Sequence, residues 1–265
     1  ALVQFGFQAK FKMVIFFFQV WAARKSVYGV ELPEELSGWL SVFDSLSFDF
    51  GVLLFPSWAC LGDLRWRIAF NALWPLGLMV AVCFALVSRR LLRGRSMRQS
   101  LLSSLRAAIF ISFCMIPSVT RSLFLAFQCE AFGFDDTASP KIKSYLTASI
   151  NVECSSDEHG RVVALASVFI VIWPVGMPLL YALLLHRCRE AVQDHQPSTL
   201  SRATHFLWKE YQDSYFWWEL VEYGRKFLLT GALIFVEQES VSQTFIGMSI
   251  SFFFFALNAS NKSIY

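Results

Sequence analysis

Four groups of residues in this chain have types and spacings that could do chemistry. Arg121 stands alone as a charge in the stretch from Ala107 to Gln128. An ionisable side chain among apolar neighbours usually faces a bundle interior, a cavity or an acidic partner, and Asp44, Asp49 and Glu130 are candidate partners. The rival reading is a side chain that snorkels to the headgroups, because Gln128 is only seven residues away. Pro174, Gly176 and Pro178 form the string WPVGMP in the middle of a long uncharged run. Two prolines there remove backbone donors and bend a helix, giving either a hinge in a gated pathway or a fixed kink. Glu222 precedes Arg225 by three residues and Lys226 by four, a spacing that allows ion pairing on one helix face, worth tenths of a kcal/mol if exposed. Cys129 and Cys154 bracket an acidic segment. If that segment faces an oxidising compartment a disulfide is the natural reading, the alternative being two unrelated thiols. The bridge would close about 26 residues and contribute roughly 3 kcal/mol in the chain-entropy account.

Other chemistries find no residues to carry them. His159, His186, His195 and His205 are scattered, and no Cys or His group has metal-ligand spacing. No HExxH, GxSxG, P-loop or Rossmann string is present, so the expectation is a protein that is not an enzyme and holds no cofactor.

What must position these residues is a set of membrane helices. The chain is 55% hydrophobic and only 16% charged, with 28 phenylalanines among 265 residues, and its mean hydropathy is +0.48. That mixture is far from a soluble domain. A net charge of +3 is too small to argue for nucleic acid. Uncharged runs of 20 residues from Ile68 to Val87 and 24 from Val162 to Leu185 are each long enough to cross ~30 Å of hydrocarbon as a helix. The stretches 107–128 and 241–258 read as two more spans. Residues 216–236 start with a polar turn before an uncharged half and rise from the interface into the membrane. Met13 to Ala23 is short unless its helix continues, which sets a sixth candidate near 11–30. The fold class expected is an all-helical, polytopic bundle of about six spans forming one domain, cut from a longer chain.

Positive charge orients the set. Arg89, Arg90, Arg93, Arg95 and Arg98 follow one long run, and Arg187, Arg189, Arg202 and Lys209 follow the other, so both connections are expected inside. Residues 129–161, rich in Asp and Glu, form the outer loop. The aromatic and charged stretch 199–215 suits an amphipathic helix on the cytoplasmic surface. Residues 30–65, apolar but interrupted by Asp44 and Asp49, form the other outer connection, lying along the interface or re-entering. With six crossings both ends are cytoplasmic, and the sequon Asn261-Lys262-Ser263 stays unmodified.

The strings LSRATHFLWKEY, FWWELVEYGRKFLLTG, FIVIWPVGMPLLYALLL, SLFLAFQCEAFGFDD, SYLTASINVEC and KMVIFFFQV together resemble the membrane region of large multi-pass surface proteins of oomycetes, diatoms and dinoflagellates. In that family the region commonly follows a long Cys-rich ectodomain of EGF-like or ephrin-receptor-like repeats, and it is remotely similar to fungal transient-receptor-potential-like membrane proteins. The resemblance covers nearly the whole chain, and Cys129 and Cys154 match the family's loop cysteines, which favours the disulfide. It implies a channel-like domain, cation-conducting or sensory, in the plasma membrane or an endomembrane. The partners implied are the bilayer, ions and further copies of the chain. Two other functions compete: a membrane anchor and relay of a surface receptor without conduction, and a secondary transporter, for which the paired broken helices expected in two halves are poorly matched.

Overall fold

The computed structural model describes residues 7–28, 63–134, 141–196, 198–236 and 240–260. The segment with Asp44 and Asp49, and the sequon at Asn261, lie outside these residues. Helix α1 (Phe7–Tyr28) is followed by α2 (Leu64–Leu91) and α3 (Met97–Phe124), an antiparallel pair with a short connection. Asp63 caps α2 by accepting from the Arg65 amide, and Ser96 caps α3 by accepting from the Gln99 amide. Between the helices Gly94 takes a φ of +73°, a left-handed conformation that a side chain would disfavour. Its amide bonds the Leu91 carbonyl, closing the end of α2.

After α3 the chain leaves helical structure. Strands β1 (Cys129–Phe134), β2 (Lys141–Leu146) and β3 (Ser149–Glu153) form an antiparallel meander in the order β1-β2-β3. Cys129 pairs with Leu146 across the first ladder and Tyr145 with Glu153 across the second. Leu146 and Val152 are buried against the helices and anchor this small sheet. A Cys129–Cys154 disulfide, with Cα atoms 6.3 Å apart, ties the start of β1 to the residue after β3.

Ser156 then caps α4 (Asp157–Ile170), whose first turn carries Asp157 and Glu158 where the helix dipole favours negative charge. A π-helical turn over Val171–Gly176 joins α4 to α5 (Met177–Gln193) as one long rod. Two short helices follow, α6 (Thr199–Ala203) and α7 (His205–Trp208), then a 3-10 turn at Asp213–Tyr215. Helix α8 (Trp218–Thr230), a 3-10 turn at Ala232–Phe235 and α9 (Val241–Ser260) complete the described chain.

Four of these helices are long and apolar enough to cross a membrane: α2, α3 with its 3-10 extension, the α4–α5 rod, and α9. Helix α3 is the central one, with 61% of its apolar window buried against 17% for α2 and for α9. The outer faces of α2 and α9 expose Trp66, Val80, Phe84, Phe252, Phe253 and Phe255, an apolar surface suited to lipid. The basic connection of Arg89, Arg90, Arg93 and Arg95 is exposed at one end of the bundle, and the disulfide-closed sheet stands at the other.

The architecture departs from the sequence reading in three places. The 216–236 stretch is not one helix: α8 runs to Thr230, is capped at Gly231, and a 3-10 turn over Ala232–Phe235 replaces the rest of its uncharged half. Residues 199–215 form two short helices and a turn instead of one surface helix, and Ser201, Thr204, Phe206 and Leu207 are buried in the bundle. Phe206 accounts for much of this difference, because it packs edge-on against Phe110 and Phe113 of α3. The outer loop, placed in an all-helical fold, contains the three strands.

Candidate functional site

The densest chemistry lies where α1, α8, α9 and the segment after α7 meet. Helix α8 places Glu219, Glu222 and Lys226 on one face by steps of three and four residues. All three side chains are buried, as is Lys12 from α1. The Lys12 ammonium donates to a Glu219 carboxylate oxygen at 2.6 Å and to the Phe206 carbonyl at 2.7 Å, and stands 3.5 Å from Glu210. It also lies 4.5 Å from the centre of the Phe206 ring, a cation–π arrangement. The Tyr211 hydroxyl donates to the same Glu219 oxygen at 3.0 Å, while the Lys226 ammonium sits 3.7 Å from the other oxygen. The face of Phe113 covers Lys226 at 3.9 Å. Arg225 pairs with Glu222 at 2.5 Å, and its guanidinium lies over Phe16. Asn258 of α9 donates to the second Glu222 oxygen at 3.4 Å.

The cluster holds three cations, Lys12, Arg225 and Lys226, and three carboxylates, Glu210, Glu219 and Glu222. Burying one of these charges without a partner would be strongly unfavourable, and pairing offsets that cost. Burial pushes the Glu210 carboxyl up, with Lys12 acting in the opposite direction. Burial also pushes His205 down, to about 4, aided by the positive charges of Lys209, Arg106 and Lys12. His205 is therefore neutral at pH 7.

Two spaces adjoin the cluster. One, a recess of about 340 Å³, is lined by the cluster residues with Met13, Phe16, Tyr211 and Asn258. The other, about 20 Å³ and large enough for a single water, lies deeper among Phe113, Pro117, Thr120, Tyr181 and Tyr223, with Glu219 and Lys226 on its wall.

The sequence-derived candidates fall in different parts of the bundle. Glu222, Arg225 and Lys226 lie in the cluster, where Glu222 meets Arg225 and Lys226 meets Glu219 instead. Arg121 is partly exposed in the last turn of α3, eight residues beyond the Phe113 that covers Lys226, or about 12 Å along the helix axis. Glu130 is exposed on β1. Pro174 and Gly176 lie in the π-helical turn and Pro178 just after it. A proline at 178 has no amide to give the Pro174 carbonyl, its ordinary α-helical acceptor. The Tyr223 hydroxyl of α8 donates to that carbonyl at 3.0 Å. The buried Trp173 ring fixes the other side of the turn by donating to the Ala72 carbonyl of α2 at 3.0 Å. The kink thus touches the helix that carries the charges.

The site residues missed in the sequence are Lys12, Glu210 and Glu219. Lys12 interrupts the apolar string FKMVIFFF, and Glu219 precedes Lys226 by seven residues, two turns along one face. Those signals were legible, but their meeting depends on contacts about 200 residues apart. At the opposite end Cys129, Cys154 and His159 stand close together. The sulfurs there are joined to each other, and the His159 ring nitrogens face the Cys154 and Ala126 carbonyls at 2.7 and 3.2 Å.

One curated relative covers part of the chain. Over 125 residues, 46% of this chain, it is 26% identical to cysteine repeat modular protein A of Toxoplasma gondii. The matched stretch is 4% of that protein's length, so the chain spans only a small part of the relative. No family profile matches the chain, and no solved structure matches it.

Proposed function

We propose that this chain is the membrane anchor and relay domain of a larger Cys-rich protein, crossing the bilayer six times and passing a change at its disulfide-closed sheet to its charged end. The observation that carries this reading is the Tyr223 bond to the Pro174 carbonyl. The sheet leads directly into α4, α4 runs into the π-helical turn, and Tyr223 couples that turn to the helix bearing Glu219, Glu222 and Lys226. A rod with a proline-built bend held by one side-chain bond has the parts a two-state relay needs. The relative's name, which describes cysteine repeats, fits a membrane domain appended to such repeats.

A conduction reading has one specific support, the small, mostly apolar cavity that adjoins the charged recess at Glu219 and Lys226. Two features weigh against it as a cation path. Lys12, Arg225 and Lys226 stand at the mouth balanced by Glu210, Glu219 and Glu222, so the lining carries no net negative charge that would draw cations in. Beyond the cavity, Phe124 meets Phe227 edge-on and Phe235 at a tilt, at ring-centre distances of 5.7 and 5.0 Å.

The relay is tested with a native probe. Cys188 of α5 is buried below the kink, its sulfur 3.5 Å from the Thr204 hydroxyl. In the complete protein, reduction of Cys129–Cys154 by an impermeant phosphine is expected to speed alkylation of Cys188 severalfold, and Tyr223→Phe to abolish that response. An alkylation rate indifferent to reduction overturns the relay. Cation flux above that of empty vesicles would move the assignment to conduction.

A further inference from the structure

We propose that the recess between α1, α8 and α9 is a binding site for a zwitterion carrying a primary ammonium and an anionic oxygen. This chemistry is shared by the phosphoethanolamine headgroup of a lipid and by free amino acids.

Three atoms on its wall carry the inference. Glu210 Oε1, Arg225 Nε and Asn258 Oδ1 are all buried, and none has a hydrogen-bond partner among the described residues. All three residues line the same recess. Buried polar groups without partners are uncommon and costly, so three around one space indicate an occupant that completes them. Two of the atoms are acceptors and require N–H or O–H donors, whereas the Arg225 N–H requires an oxygen. The other Glu210 oxygen already faces Lys12, and the Asn258 amide nitrogen is engaged by Glu222 and by the Phe254 carbonyl. The open valences therefore ask for a donor beside Glu210 and Asn258 and an acceptor beside Arg225.

Net charge narrows the class. The lining holds three cations and three carboxylates, so an anion or a cation would enter with an uncompensated charge, whereas a zwitterion adds none. A quaternary ammonium cannot donate to Glu210 or Asn258, so choline headgroups are disfavoured and ethanolamine is accepted. The volume of about 340 Å³ admits a small polar headgroup. Met13, on the rim, is exposed on the apolar outer side of α1, which gives a lipid a lateral route in.

The test uses the full chain in nanodiscs of phosphatidylcholine alone or with phosphatidylethanolamine, read by native mass spectrometry for retained lipid and by the thermal midpoint. One retained phosphatidylethanolamine per chain is expected, at about tenfold preference over phosphatidylcholine, the scale of losing hydrogen bonds to charged or buried groups. Retention should decline stepwise through the mono- and dimethylated lipids, because each methyl removes a donor. This series needs no variant that must fold. Glu210→Gln with Asn258→Leu should erase the preference, while Arg98→Gln in the exposed first turn of α3 should keep it. A midpoint raised by millimolar phosphoethanolamine or glycine in phosphatidylcholine discs, without retained lipid, assigns the site to a free zwitterion. Equal retention of all headgroups with no response to either soluble probe overturns the proposal and leaves the recess to water.

Discussion

Glu219 is the residue on which the charge cluster depends. Its carboxylate is 2% exposed and serves Lys12, Tyr211 and Lys226 together. Glu219→Gln leaves two buried ammonium groups short of a counter-charge, and the expected cost is roughly 3–5 kcal/mol in reversible unfolding. Glu222→Gln should cost about 1 kcal/mol, because its partner Arg225 is 26% exposed in its side chain and partly solvated. Equal losses for the two variants would show that the cluster has no centre. Replacing Lys12 and Glu219 together by Met should recover much of the single-variant loss, since an apolar pair leaves neither charge stranded. His205 gives the cluster region a pH dependence of definite sign. Its folded value of about 4 lies below the ordinary value of 6.5, so between those limits the unfolded chain binds more protons. Stability is therefore expected to fall as pH drops from about 6.5 towards 4. Glu210, pushed up by burial, opposes this above its ordinary value of 4.5, because there its folded form holds the extra proton. His205→Gln removes the first effect, so subtracting the two pH profiles isolates it. Profiles that coincide would contradict a half-buried neutral imidazole.

At the scale of elements, Gly176 shows why the bend in the α4–α5 rod belongs to the sequence. A Cβ built on it would lie 2.9 Å from the Val171 carbonyl oxygen, closer than side chains tolerate. Gly→Ala in an ordinary helix stabilises by about 0.5–1 kcal/mol. Gly176→Ala is expected to destabilise instead, by roughly 1–3 kcal/mol, as the turn shifts to relieve the contact. Thermal unfolding in matched nanodiscs gives the sign, and a stabilised variant would mean that the turn is not π-helical. This bend was legible because proline and glycine act locally. The long apolar helices were legible for a similar reason, since an uncharged run of 20 residues needs no distant partner to reveal itself. The break of α8 at Gly231 was not. The residues after it are apolar and read as more helix, but tertiary contacts decide the outcome, with Leu233 and Ile234 buried against Ala23, Val27 and Phe124. The β-meander was hidden too, because its strands are only five or six residues long and mix exposed Ile150 and Phe132 with charged residues, leaving no clean alternation. Lys12 and Glu219 could each be read as an oddity, but their pairing across 207 residues could not.

At the scale of the whole molecule, the question is whether α1 and α8 add crossings to the four long helices. Depth can be read from neighbours. Lys12 lies beside Phe206 and Glu210, near the basic end, while the Val27 carbonyl accepts from Gln243 and Tyr28 donates to the Leu229 carbonyl at 2.9 Å. The α8 segment begins at Trp218 beside Tyr211. It ends at Phe235 and Val236, which share a surface recess with Gln128, Cys129 and Glu130 at the disulfide end. A stretch that starts among the basic connections and ends beside the disulfide traverses the bundle, even though a 3-10 turn makes up its last part. On this geometry α9 starts at the disulfide end and returns to the basic end, and the six-crossing reading proposed above expects the sequon at Asn261 on the inner side. The prediction is that Asn261 carries no sugar in a eukaryotic host, while a sequon engineered into the 135–140 segment is modified. Glycan on Asn261, with the 135–140 sequon also modified, would place both ends of α9's path opposite to this assignment. The α8 segment would then fold back without crossing, and the charge cluster would lie at a lipid interface instead of inside the bundle.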